Sequence, residues 1–175
     1  MGVLTFPVPG LPPDLATARR TRRHFSTTAD GRIYRPSLSV RVTVPGGPPV
    51  GRPTFRWVKA QIDTGADCCI FAQTLADAIG LSRQAETHEE SLRTGAGLVV
   101  AWFADVQMHL GLPTDPYAFD WTAPVGFVRD DILPAAFPQG IFGIGGGLER
   151  FPRIELVLSP TAAEMPVVRI YTPPA

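Results

Sequence analysis

Apolar and polar residues alternate from Leu38, where Leu38, Val40, Val42 and Val44 are separated by Ser39, Arg41 and Thr43. That two-residue period predicts a half-buried strand, and Pro45-Gly46-Gly47-Pro48-Pro49 forces a turn or loop after it. A second strand is expected from Phe55 to Ile62, with Val58, Ala60 and Ile62 on one face and Trp57, Lys59 and Gln61 on the other. It runs directly into Asp63-Thr64-Gly65-Ala66. The period then changes. Leu75 and Ile79 stand at helical spacing within Ala72 to Ile79, and Gly80 is well placed to end a short helix. Further strands are expected at Leu98 to Phe103, Val106 to Leu110, Val125 to Val128, Ile154 to Leu158 and Val167 to Tyr171. Residues 1–35 lack such a pattern and are expected to form a flexible N-terminal extension, leaving 36–175 as one domain. Within the extension, Arg19-Arg20-Thr21-Arg22-Arg23-His24 reads as a solvated arm, with a processing site or a dock for an acidic partner as alternatives.

Composition narrows the picture. A chain of 175 residues suffices for one ordinary core. Charged residues make up 18%, and 17 glycines and 19 prolines favour short strands and turns over long helices, so the fold class is mostly β. The formal net charge is zero, which provides no global field for phosphate backbones or anionic lipid; nucleic acid and membrane are not expected partners. No apolar run approaches the roughly 18 residues of a membrane span. The stretch Met1 to Pro13 is broken by four prolines, so neither an anchor nor a conventional signal peptide is expected. The adjacent Cys68 and Cys69 read as buried structural thiols, without a C-x-x-C spacing. A cytoplasmic location is the expectation.

Asp63-Thr64-Gly65-Ala66 is the informative local feature. Gly65 lets the backbone bend and its amide approach a bound group, and the Thr64 hydroxyl can lock the turn. Taken alone, the string is weak evidence and reads first as an ordinary turn, since Asp and Gly are common turn residues. No rival site assembles. His24, His88 and His109 lack metal-ligand spacing, no nucleophile elbow or phosphate loop occurs, and Asp130-Asp131 and Glu89-Glu90 read as solvated pairs. Trp57, Trp102 and Trp121 read as core or interface residues.

About eighty residues beyond Asp63 come Gly140-Ile141-Phe142-Gly143-Ile144 and then Leu148-Glu149-Arg150-Phe151. With these the chain resembles the retropepsin-like aspartic proteases, from about Ser37 to Ile170. The resemblance implies a single-domain acid-protease fold, closed and barrel-like, with a short helix and a flap hairpin. It implies an aspartic endopeptidase acting on polypeptide, a homodimer in which two copies of Asp63 activate a water, and no metal or organic cofactor. Asp63 would be the catalytic carboxylate, Thr64 would tie two active-site loops together across the dimer, Gly65 would make a backbone contact, and Ala66 fits the retroviral-type motif. Gly95, Ala96 and Gly97 would form the flap tip over the substrate, a plain solvent-exposed turn being the alternative. Asp67 and Ile141 would contact substrate. One departure stands out: Ile144-Gly145-Gly146-Gly147 replaces the polar run of many relatives, so Asp67 lacks its expected Arg partner and a solvated loop Asp is the alternative. Glycine disfavours helix, so the closing helix is expected to be short or to begin near Leu148. The departure also leaves open a catalytically silent dimerisation or peptide-binding module.

Overall fold

The computed structural model describes residues 2–7, 10–11, 33–34, 36–47, 55–83, 87–94, 97–133, 139–157 and 167–173. In chain order its strands are β1 (Gly2–Pro7), β2 (Gly10–Leu11), β3 (Ile33–Tyr34), β4 (Ser37–Thr43), β5 (Arg56–Ile62), β6 (Ile70–Ala72), β7 (Glu89–Thr94), β8 (Gly97–Leu110), β9 (Phe119–Val128), β10 (Gly140–Phe142), β11 (Arg153–Val157) and β12 (Val167–Thr172). One α-helix, α1 (Gln73–Ile79), follows β6. The fold is mostly β, as expected from the sequence.

Six strands close on themselves. The order β4-β5-β10-β6-β9-β8 ends with β8 pairing back onto β4, from Val40 opposite Leu110 to Thr43 opposite Gln107. Closure removes the free edges that an open sheet of this size would expose. The alternating residues of β4 and β5 point inward as their pattern requires: Leu38, Val40, Val42, Val58 and Ala60 are buried with Phe71, Met108, Leu110, Phe127 and Phe142 in one core. Helix α1 covers the barrel through Leu75, Ala76 and Ile79. Gly80 ends it in the left-handed region at φ 86°, and its amide bonds back to the last helical carbonyls.

Three expectations need correction. Leu98 to Phe103 and Val106 to Leu110 are one 14-residue strand, β8. Trp102, Val106, Met108 and Leu110 face the barrel core, whereas Val99 and Ala101 on the opposite face pack into a second apolar cluster with Ile70 and Val128. Burial thus switches face along one continuous strand and mimics a break. β9 likewise begins at Phe119, not Val125, with Pro124 accommodated opposite Asp105. Finally, Gly2–Pro7, inside the expected extension, is a strand: β1 pairs with β12 from Gly2 opposite Thr172 to Pro7 opposite Val167, and β11 lies on the other side of β12. Leu4, Val168 and Ile170 from this sheet are buried in the main core. The Arg19–His24 stretch lies outside the described residues.

Deletion of residues 1–7 should therefore lower stability by at least about 2 kcal/mol, the order of one buried leucine, with Leu4 withdrawn from the core. Urea unfolding of the full chain and the truncated chain checks this; equal midpoints would show that β1 is not integral to the fold.

Candidate active site

Strand β5 delivers Asp63 to the rim of the barrel, and β10 fixes it there. β5 and β10 run parallel, with Gln61 opposite Ile141 and Ile62 opposite Phe142, and the pairing continues one step further as the Asp63 amide donates to the Phe142 carbonyl at 3.2 Å. The chain then turns. The Gly65 amide donates to Asp63 Oδ1 at 2.9 Å, and the Ala66 amide to the Asp63 carbonyl at 3.2 Å. This turn orients the carboxylate through its own backbone, with Asp63 half-buried and Thr64 and Gly65 exposed.

The loop after β10 runs directly against this turn. The Ile144 amide donates to the Ala66 carbonyl and the Gly145 amide to the Asp67 carbonyl, both at 2.8 Å, and the Cys69 amide returns a bond to the Gly145 carbonyl at 3.3 Å. Such contact leaves no room for side chains. A Cβ at Gly143 would stand 2.1 Å from the Cys68 carbonyl oxygen, one at Gly145 2.6 Å from that of Asp67, and one at Gly147 2.6 Å from that of Gly143. Gly146 turns the loop at φ 75°. In Ile144-Gly145-Gly146-Gly147, the departure from the pattern of the resembled family, Gly145 is thus a steric requirement of the loop pairing, and Gly147 is closed in by the Gly143 carbonyl and the Cys69 sulfur. As expected from the glycines, the closing helix is reduced to a single 3-10 turn over Leu148–Arg150.

Two side chains that the sequence reading did not place at the site hold the glycine loop. Trp121 Nε1 donates to the Gly146 carbonyl at 2.7 Å, and Glu149 Oε1 accepts from the Gly146 amide at 2.8 Å. Trp121 stands edge-on to Phe142 and Phe151, with ring centroids 6.1 and 5.5 Å away, so its indole is fixed by packing as well as by the hydrogen bond. The residue was legible as core; its second role depends on a strand register that no local pattern reveals.

The other expected site residues fall as follows. Asp67 is exposed and meets the glycine loop through its backbone carbonyl. Ile141 is half-buried against the second apolar cluster, beside Ile70, Val99, Ala101 and Val128. β7 and β8 form a hairpin with Thr94 opposite Gly97, and Gly97 has φ 118°; Gly95 and Ala96 lie outside the described residues. Residues that were set aside as solvated have local partners: Asp130 caps the Thr74 amide at 3.1 Å, and Arg129 binds Asp131, holding that carboxyl below its usual range. His109 pairs with Asp120 at 2.8 Å. Among the described residues no group of three His, Cys, Asp or Glu side chains could hold a metal ion, and no helix is long and apolar enough to cross a membrane.

No protein-family model and no curated protein sequence matches the chain. Among solved structures, a retropepsin-like aspartic protease from Rickettsia conorii aligns over 97% of this chain and 98% of its own, with 14% identity and a TM-score of 0.47. EIAV protease in complex with the inhibitor HBY-793 aligns over 57% of this chain and 85% of its own, with 15% identity and a TM-score of 0.34. The chain is similar in structure to these aspartic proteases.

The cysteines beneath the site supply a pH test. Burial pushes the Cys69 thiol up from its ordinary 9.0 to about 12, and Cys68 is raised by burial and then by the charges of Asp67 and Glu90. For Cys69, the unfolded chain ionises first, so this contribution is intact below about pH 9 and is lost as pH climbs towards 12. Between pH 9 and 11, urea unfolding should show wild-type stability falling more steeply than that of Cys69→Ala. Parallel profiles would contradict the buried, protonated thiol.

Proposed function

We propose that the chain is an aspartic endopeptidase that works as a homodimer, each copy contributing Asp63. The observation that carries this reading is the rigid presentation of a single carboxylate at the barrel rim, on a turn fixed by the Phe142 carbonyl and by the glycine loop. Hydrolysing a peptide with carboxylates alone needs one group to take a proton from water and another to supply one to the carbonyl oxygen. Two carboxylates held close resist simultaneous ionisation and keep one proton between them, the effect for which aspartic proteases are the familiar case. One Asp-Thr-Gly per chain therefore calls for a twofold partner.

In the proposed reaction a water held between the two Asp63 carboxylates loses a proton to one of them as its oxygen attacks the scissile carbonyl carbon. The other carboxyl protonates the carbonyl oxygen, giving a tetrahedral diol. Collapse breaks the C–N bond as the protonated carboxyl passes its proton to the departing amine and the other carboxylate takes one from a diol hydroxyl, which returns the dyad to its singly protonated state. Thr64 would tie the two loops together across the twofold. Asp67 and Ile141 would contact the extended polypeptide, and the β7–β8 hairpin, with Gly95, Ala96 and Gly97 at its tip, would close over it as an added strand. No metal or organic cofactor takes part in this scheme. The sheet at the chain ends constrains the assembly: β12 already has β1 and β11 on its two edges, so a second copy would join this sheet through β1 or β11. Residues 36–175 together with β1 would make up the protease domain.

Asp63→Asn preserves size and removes the exchangeable proton. Its turnover of a peptide library should fall by at least about a thousandfold, while the fold and the dimer seen by sedimentation survive. Wild-type turnover by the folded variant would refute Asp63 as the catalyst. A wild-type protein that dimerises and binds peptides without cleaving any would instead identify a silent binding module.

A further inference from the structure

Exposed apolar side chains gather on one side of the barrel wall. Among the described residues nine large apolar side chains are exposed, and five of them, Val3, Phe55, Trp57, Leu112 and Tyr117, form one patch. Val3, Trp57 and Leu112 line an open groove of about 440 Å³. Phe55 stands edge-on to Trp57, with ring centroids 6.0 Å apart, and the absence of a side chain at Gly2 lets the Tyr117 ring lie against β1. A concentrated patch marks a contact site, whereas apolar residues scattered singly do not. Trp57 precedes Asp63 on the β5 path by about 20 Å of strand, so the groove is distinct from the candidate active site.

One wall of the groove is Val3, Leu4, Thr5 and Phe6. Alternate residues of a strand point to opposite faces, so a groove lying on a face would meet every second residue. Contact with four in succession means that the groove runs along an edge of β1, where backbone amides and carbonyls emerge. β12 occupies the other edge, and among the described residues no strand pairs with this one. Proteins commonly guard such an edge with charge or proline, yet Gly2–Pro7 carries no charged side chain and its proline comes last. Asp115 adds a single charge to the lining. Its Oδ1 accepts the Tyr117 amide at 2.9 Å, and among the described residues no cation pairs with the carboxylate.

We propose that this groove is a docking site for an extended polypeptide segment of another protein. The segment adds to β1 as a further strand, sets apolar side chains at alternate positions against Trp57 and Leu112, and brings a Lys or Arg to Asp115. Main-chain hydrogen bonds supply affinity in such strand addition, and the pockets for alternate side chains supply choice. Size decides against a second copy of this chain as the occupant. A stable interface between folded proteins takes about 20–30 residues a side, whereas the groove is lined by nine, enough for one strand. The site does not depend on the reading of Asp63. With β1 engaged, β11 is the edge of this sheet left for a second copy.

The test selects binders from a displayed library of random nonapeptides, using the full chain with Asp63→Asn so that no probe is cleaved. Selected peptides should carry apolar residues at alternate positions with a Lys or Arg towards one end, and in hydrogen exchange they should slow the amides of residues 3–6. Adding Trp57→Ala should weaken their binding by about tenfold or more. Adding Asp115→Asn, which keeps the oxygen that accepts the Tyr117 amide, should abolish the preference for the basic residue over Glu at the same position. A library that yields no saturable binder would overturn the proposal, as would protection confined to the Asp63 loop and the β7–β8 hairpin. Undiminished binding by a folded Trp57→Ala chain, or a preference for the basic residue that survives Asp115→Asn, would do the same. Slowing of the β1 amides by raised protein concentration alone would assign the groove to a second copy and contradict the proposal.

Discussion

The passage of one backbone against another, Gly143–Gly147 against Ala66–Cys69, is the constraint on which the candidate site depends. Three amide-to-carbonyl bonds cross that junction, between Ile144 and Ala66, Gly145 and Asp67, and Cys69 and Gly145. At Gly143 and Gly145 a Cβ would block this approach, because the nearest atoms are backbone oxygens that cannot swing away. The turn bearing Asp63 is therefore located by main-chain geometry, which does not depend on the rotamer of a long side chain.

This junction is anchored in the barrel from below. Phe142 is fully buried, and Trp121 and Phe151 pack edge-on to each other. Trp121 also holds the Gly146 carbonyl, so core packing and loop position share one side chain. The outer face carries a buried polar group of its own. The Arg41 guanidinium lies 5.3 Å from the Phe55 ring and 5.8 Å from that of Trp57, and these faces offset part of the cost of its unpaired Nε.

Where one face of an element is buried, the sequence makes it legible. β4, β5 and α1 follow their apolar periods because Leu38, Val40, Val42, Val58, Ala60, Leu75 and Ile79 all face a single core. β8 escapes this logic, since its two ends are buried on opposite faces, and β9 is concealed by Pro124, a residue usually unfavourable within a sheet. β1 could not be anticipated, because its pairing with β12 joins opposite ends of the chain. Asp63 and Ile141 stand out in short motifs, and the β5–β10 pairing brings those two motifs side by side. The glycine run looks like a loss in sequence, because the need for bare backbone arises only when two distant loops meet.

The central claim is that one functional site requires two chains. It is tested most directly by active-site titration: a tight-binding, non-cleavable isostere of a peptide that the protein cleaves is added to a known concentration of chains while residual turnover is followed. The account predicts that activity reaches zero at one inhibitor for every two chains, with the inhibited species sedimenting as a dimer. Complete inhibition at one inhibitor per chain, bound to a monomer, would contradict it.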